Sequence, residues 1–260
     1  KVTGTLAGEE IVDAPQLTGQ LTMAPVSLRE WLPKLGVAIP VTSDPNVLKR
    51  FAFTANVGLT AKTAELQKLD LKLDDTTVTG TLGLADIDTQ AVRFALDVDR
   101  IDADRYLEPE KPQDKADSAA AAPVEIPVDM LRKLNARGTI AIGEAVLSGI
   151  KFSKLRVGLT ARDGDVRVSP AEATVYGGQY RGDLGLVARG DAARLTLDQR
   201  ITNVDFAPLF KELFDTTRLS GKGSFSSKLT ASGRDSQALL KTLGGSLDFS
   251  VHFGALEGAD

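Results

Sequence analysis

Apolar and polar residues alternate along most of this chain, most regularly over residues 166–210, VRVSPAEATVYGGQYRGDLGLVARGDAARLTLDQRITNVDFAPLF. Ala171, Ala173 and Val175 oppose Glu172, Thr174 and Tyr176. Tyr180, Leu184 and Leu186 oppose Arg181 and Asp183. Leu195, Leu197 and Ile201 oppose Arg194, Thr196, Asp198 and Arg200. A period of two predicts strands with one apolar and one wet face. Three such strands, joined by Gly-rich or polar turns and closed by a short helix, form the unit around which the chain is organised.

The same period predicts strands at 16–23, 51–60, 66–73, 78–84 and 92–98, then at 139–147, 150–161, 218–232 and 247–253. The opening residues, KVTGTLAGEE, read as strand without a signal-peptide pattern, so the chain reads as a piece of a longer protein. Asp74-Asp75 and residues 85–89 supply turns. Ser27 with Glu30 three residues later is a capping box, predicting a short helix that ends at Gly36. Further short helices are predicted at 101–107, at 128–134, and from Asp235 or Ser236 to Gly244-Gly245. Residues 108–126 break the pattern: rich in Pro, Ala and charge, they lack the apolar surface to offset ordering and read as a flexible insertion. Three segments result: β-rich residues 1–107, the insertion 108–126, and β-rich residues 127–260.

Two patterns recur. LQKLDLKL (66–73) and FSKLRVGL (152–159) share the same slip of phase before Leu69 and Leu155, which predicts a bulge or bend in each strand. Met23, Val98 and Ile201 are each followed three residues on by Val26, Ile101 and Val204. Ser27, Asp102 and Asp205 come next, and then the apolar pairs Trp31-Leu32, Tyr106-Leu107 and Leu209-Phe210. A strand leading into a short capped helix is therefore a repeated unit, as in architectures whose units stack in a row.

Composition narrows the chemistry. A net charge of −4 argues against a nucleic-acid partner. The chain has no cysteine, one histidine, one tryptophan and three tyrosines, few for a catalytic or stacking site. His252 alternates with Val251 and Phe253 and is expected on the wet side of its strand. The acidic run 97–104 lacks the glycine and terminal glutamate of a calcium loop, and Asp102 reads as a helix cap. Gly177-Gly178 and Gly244-Gly245 are turn and cap glycines, because no phosphate-loop motif accompanies them. No catalytic, metal or cofactor site is expected.

The remaining feature is apolar surface. The candidate face comprises Phe51, Phe53, Val57, Leu59, Leu69, Leu71, Leu73, Phe94 and Leu96 in the first half. In the second it comprises Val157, Leu159, Leu184, Leu186, Leu195, Leu197, Phe225, Leu229, Leu247, Phe249, Val251 and Phe253. The few short helices look too small to cover it. Two readings stay open: a closed β-sandwich with two facing sheets, and a long, curved, largely antiparallel sheet whose apolar face forms a groove. By themselves the residues lean slightly to the sandwich.

VSPAEATVYGGQYRGDLGL, then ITNVDFAPLFKEL, then LSGKGSFSSKLTASGRDSQALLKTLGGSLDFSVHFGALEGAD, together with LDVDRIDADRYL upstream, resemble in order and spacing the C-terminal region of AsmA-like proteins of Gram-negative bacteria. The resemblance implies a mainly β fold of the repeating β-groove kind, related to bridge-like lipid-transfer proteins. It implies a periplasmic segment of a protein anchored in the inner membrane by an N-terminal helix absent from this sequence, with phospholipid acyl chains as partners. The implied role is phospholipid transport and outer-membrane biogenesis, without enzymatic activity. The alternative is a non-enzymatic scaffold that affects outer-membrane protein assembly through outer-membrane or periplasmic partners. The resemblance supplies no catalytic residues.

Overall fold

The computed structural model describes residues 1–9, 15–109, 125–214 and 219–256. The insertion expected at 108–126 falls almost wholly outside these. Thirteen strands form one sheet, each beside its chain neighbours in the order β1 to β13. They are β1 (Val2–Glu9), β2 (Gln16–Val26), β3 (Phe51–Thr60), β4 (Ala64–Leu73), β5 (Thr76–Asp86), β6 (Ala91–Asp102), β7 (Ala136–Leu147), β8 (Ile150–Arg162), β9 (Asp165–Val175), β10 (Gly178–Arg189), β11 (Ala192–Asp205), β12 (Leu219–Gly233) and β13 (Gly244–Leu256). The helices are short: α1 (Leu28–Trp31), α2 (Val128–Lys133), α3 (Phe206–Phe214) and α4 (Ser236–Thr242), with single 3-10 turns at Pro33–Leu35 and Ala103–Arg105.

The fold is mainly β, an open sheet with few short helices. The closed sandwich is not the architecture. Each strand adds to the edge of the same sheet, so among the described residues no second sheet faces the first. Tight turns with two left-handed residues, such as Asp163-Gly164 and Tyr176-Gly177, match the twist of the strands they join. Among the described residues β7 is the strand that departs from antiparallel pairing, because it runs parallel to β6. The Val92 amide donates to the Asn135 carbonyl (2.8 Å), and Gly138 and Gly143 then lie against Phe94 and Asp99 in the same order. A parallel neighbour needs a long connection, and residues 103–135 separate β6 from β7 in the sequence.

Both expected phase slips are bulges. Lys68 and Lys154 take left-handed backbone conformations (φ 48° and 54°), and the pairing register shifts beside each. The recurring strand-to-helix unit carries a shift of its own, between Met23 and Val26 and between Ile201 and Val204. Caps agree in part. Ser27 accepts from the Glu30 amide and Asp235 from the Ala238 amide. Asp102 sits at the N-cap but makes no capping bond, and its Oδ1 is buried without a partner. Gly244-Gly245 do not end α4. Leu243 does, in extended conformation, and both glycines open β13.

Two compact units divide the chain. Unit 1 comprises Lys1–Lys111 with Asn135–Gly143, and unit 2 comprises Pro112–Leu134 with Glu144–Asp260.

Candidate functional site

Cross-strand partners share a face of a sheet, so the register assigns every apolar residue to a side. In unit 1, Leu17, Leu59, Ala64, Leu84 and Val92 form one row across the strands. Leu6, Gly19, Val57, Leu66, Leu82 and Phe94 form the next. Val2, Met23, Phe53, Leu71, Val78 and Val98 form another, flanked by Leu69 and Leu96 beside Gly80 on one side and by Phe51 and Leu73 on the other. Phe51, Phe53, Val57, Leu59, Leu69, Leu71, Leu73, Phe94 and Leu96 therefore stand on one face of unit 1.

Unit 2 repeats the arrangement. Ala161, Val166, Leu186, Leu195 and Ala231 make one row, and Leu159, Val168, Leu184, Leu197, Leu229 and Gly245 the next. Then come Val157, Ala171, Gly182, Gln199, Ser227 and Leu247, followed by Ala173, Tyr180, Ile201, Phe225 and Phe249. The last row joins Phe152, Val175 and Gly178 on one side to Val204, Gly223 and Val251 on the other. Phe253 pairs through its backbone with Gly221, and its side chain lies outside the described residues. The opposite face carries the charges: Arg156, Glu172, Arg181, Arg200, Ser226 and Asp248 form a single row there. His252, opposite Lys222, is exposed.

Burial on these faces runs against the usual order, in which the large aliphatic and aromatic side chains are the most deeply buried. Apart from Leu69, the buried apolar residues are Ala or Val, such as Ala55, Val57, Ala171, Ala173, Val175 and Ala231, with no Phe, Ile, Met or Trp among the described residues. Most of the candidate leucines and phenylalanines are half-buried, and Phe225, Leu247 and Phe249 are 40%, 60% and 81% exposed.

Helices cover the strand ends of unit 2. In unit 2, α3 and α4 dock at the two ends of β12, each over a glycine of the apolar face. A methyl at Gly223 would stand 2.1 Å from the Phe206 ring, and one at Gly233 would stand 2.6 Å from the Ala238 Cβ. The last turn of α3 is tied down by Glu212, which accepts from the Tyr176 hydroxyl (2.8 Å) and pairs with the Lys151 ammonium. These two partners hold the Glu212 carboxyl below the usual carboxylate range. The α2 helix sits at the same strand end as α4, where Arg132 reaches the Gly190 carbonyl. Helices thus border the face at both strand ends and leave its middle rows uncovered.

Unit 1 closes one strand end with a polar clamp. The Asp74 carboxylate, in the β4–β5 turn, accepts from the amides of Leu48 (2.6 Å), Lys49 (3.0 Å) and Arg50 (3.0 Å) and from the Tyr106 hydroxyl (3.0 Å). Burial pushes the Asp74 carboxyl up, but these four donors outweigh it and hold it below the usual range. Tyr106 is pushed up to about 12, first by burial and then by its bond to Asp74. Arg105 pairs with Asp44 (2.8 Å) and Asp75 (3.3 Å), fixing the loop that carries Val47, which is fully buried.

Gln199 and the buried Ser227, paired in register, interrupt the apolar face of unit 2. The Gln199 side-chain amide donates to the Asp183 carbonyl (3.1 Å), and the Tyr180 hydroxyl donates to Gln199 Oε1. The register between β9 and β10 shifts at this point, where Pro170 has no N–H to give. Gln199 therefore serves the backbone. Among the described residues no group of three or more His, Asp or Glu side chains is placed to hold a metal ion, and no helix is long and apolar enough to cross a membrane.

The sequence reading omitted several residues of these faces. Leu66 is hidden by the bulge at Lys68, which moves it onto the face that simple alternation from Leu69 denies it. Gly182, Gly223, Gly233 and Gly245 belong to the apolar face but carry no hydrophobic signal; their neighbours in register would have placed them.

Comparison with curated proteins and with solved structures gave no match for this chain. The AsmA family model matches residues 23–260. That match takes in all of the apolar face from Met23 onward and both helix-bordered ends of unit 2, and the chain belongs to the AsmA family.

Proposed function

We propose that the apolar faces bind phospholipid acyl chains, and that this chain is a lipid-binding groove segment of an inner-membrane-anchored, periplasmic protein that moves phospholipid during outer-membrane biogenesis. The observation that carries this reading is the inverted burial: most of the large apolar side chains of these faces stay half-buried or exposed, while the deeply buried apolar residues are, apart from Leu69, alanines and valines. An acyl chain laid along those rows gains about 0.8 kcal/mol for each methylene removed from water. A row spans several strands without a charged side chain, so a tail can lie across them while its head group stays in solvent. That use needs no catalytic residue, and we read the protein as a carrier rather than an enzyme. Membership of an envelope-associated family supports the reading in its coarser form.

Photocrosslinking amino acids at Phe53, Leu195 and Phe249, introduced into the protein in cells, test it. Phospholipid is expected on these and not on their neighbours Thr54, Thr196 and Ser250, which point to the other face. Equal labelling of both faces, or capture of protein alone from the apolar positions, overturns the reading, and the latter outcome favours a scaffold.

A further inference from the structure

A cleft of about 700 Å³ opens in unit 1 where β4, β5, β6 and the start of β7 lie side by side. Its lining includes Glu65, Gln67, Lys68, Gly83, Arg93 and Arg137. A methyl at Gly138 would stand 2.5 Å from the Phe94 ring, so Phe94 covers Gly138 and the two share the apolar face. Arg93 and Arg137, one residue earlier in each strand, therefore share the polar face, on neighbouring strands. Like charges so placed repel. Neither guanidinium, nor Lys68 at the β4 bulge, forms an ion pair among the described residues.

Glu65, Gly83 and Arg93 lie in one register row on that face. The strands that carry the carboxylate and the guanidinium lie two strand spacings apart, about 10 Å, and the Glu65 side chain leans over the glycine between them, its Cγ 3.1 Å from where a methyl at Gly83 would stand. Glu65 accepts a bond from Gln67 (2.9 Å) and otherwise faces the cleft without a cation. The β6–β7 wall is thus cationic with planar forks suited to phosphate oxygens, and the β4 wall holds the Glu65 carboxylate with Lys68 at the bulge beyond it.

We propose that this cleft binds a phosphate-bearing zwitterion of the phosphoethanolamine class, with the phosphate on Arg93 and Arg137 and the ammonium toward Glu65. A bound phosphate removes the repulsion between the arginines. A carboxylate at this distance disfavours a simple anion and favours one that carries its own amine. The group could come from a lipid head group or from a soluble phosphate ester. The site involves no acyl chain and stands apart from the use of the apolar faces.

The test is an amide-resolved NMR titration of the full chain with O-phosphoethanolamine, methyl phosphate and ethanolamine, alongside flotation with phosphatidylethanolamine vesicles. Saturable shifts in β4–β7 are expected, with O-phosphoethanolamine bound more tightly than methyl phosphate. The double variant Arg93→Gln/Arg137→Gln should bind O-phosphoethanolamine about tenfold or more weakly. Glu65→Gln should weaken O-phosphoethanolamine while strengthening methyl phosphate, a reversal that general damage to the fold would not produce. Binding of the soluble ester without the vesicles identifies a soluble ligand. Arginine-dependent binding to the vesicles identifies a lipid head group, and either result upholds the site. No saturable shift together with no arginine-dependent vesicle binding overturns it, as does double-variant binding equal to that of the native chain. Failure of the acyl-chain crosslinks leaves this result untouched, because the soluble ligands have no tail.

Discussion

Unit 1 fastens the end of its strands by charge, with Asp74 gathering three successive amides and a tyrosine hydroxyl. Unit 2 fastens its strand ends by shape, with α3 and α4 pressed onto Gly223 and Gly233. The loop around Val47 buries Val47 but leaves Val37, Ile39 and Val41 exposed, so the polar clamp rather than apolar packing fastens it. The α3 helix presents Phe206, Leu209 and Phe210, with Phe206 and Phe210 packed edge to face at 5.7 Å, so it needs room at its start, and the Glu212–Lys151 pair ties only its last turn. Both solutions act at the strand ends and add nothing over the middle rows. The comparison therefore separates what holds each unit together from what its apolar face is available to do.

Filling a helix seat is expected to have the largest effect. In Gly233→Val the new side chain meets the Ala238 Cβ and the Leu239 amide nitrogen, 2.6 and 2.7 Å from its first carbon, and a backbone atom cannot step aside. Unit 2 should lose about 3 kcal/mol, the upper part of the range for overpacking, read as a lower urea midpoint and faster hydrogen exchange in α4. Gly223→Ala should cost less, because it meets the far end of the Phe206 ring, and Phe206→Ala should partly relieve it. A neutral Gly233→Val would mean that α4 is not held by its seat.

The polar clamp should break differently. Asp74→Asn places an amide group among donors that have nothing to receive, and a loss of about 2 kcal/mol is expected for hydrogen bonds to a charged acceptor. The pH dependence fixes its origin. Because the folded carboxyl lies below its ordinary value of 3.8, its contribution is complete above that pH and is lost as the pH falls further. The stability gap between native protein and Asp74→Asn should hold from pH 7 to 5 and close as acid protonates Asp74. The Gly233→Val deficit should not show that closure. A gap that stayed constant into acid would mean that the charge of Asp74 is not what holds the loop.

Sequence reading served these two regions unequally, for physical reasons. Strand alternation is written in neighbouring residues, so the strands and the slips at Lys68 and Lys154 were legible. So were the caps at Ser27 and Asp235, which act within one turn. Asp74 read only as a turn residue, because its partners Leu48 and Tyr106 lie 26 and 32 residues away. The seats at Gly223 and Gly233 were silent, since a glycine under a helix has the same local sequence as one in a flexible strand. Asp102 has the spacing of a cap, yet its side chain makes no capping bond. The parallel placement of β7 was also beyond local pattern, because it depends on where a connection of about thirty residues returns. The sandwich attracted the reading because alternation identifies an apolar face without identifying what covers it.

The smallest expected effect on stability is the most telling for the comparison. Phe249 is 81% exposed although it stands in the same row as Ile201 and Phe225. A phenylalanine so exposed contributes little burial to the fold, so Phe249→Ser should change stability by no more than about 0.5 kcal/mol, the range of an ordinary surface substitution. Leu69→Ala, which empties one of the few deeply buried large positions, should cost about 2–5 kcal/mol. If the middle rows serve acyl chains, lipid recovered with purified Phe249→Ser should fall while its unfolding curve overlays that of the native chain. Loss of stability in step with loss of lipid would mean that the row is core after all, and that the difference between fastened ends and an available middle does not hold.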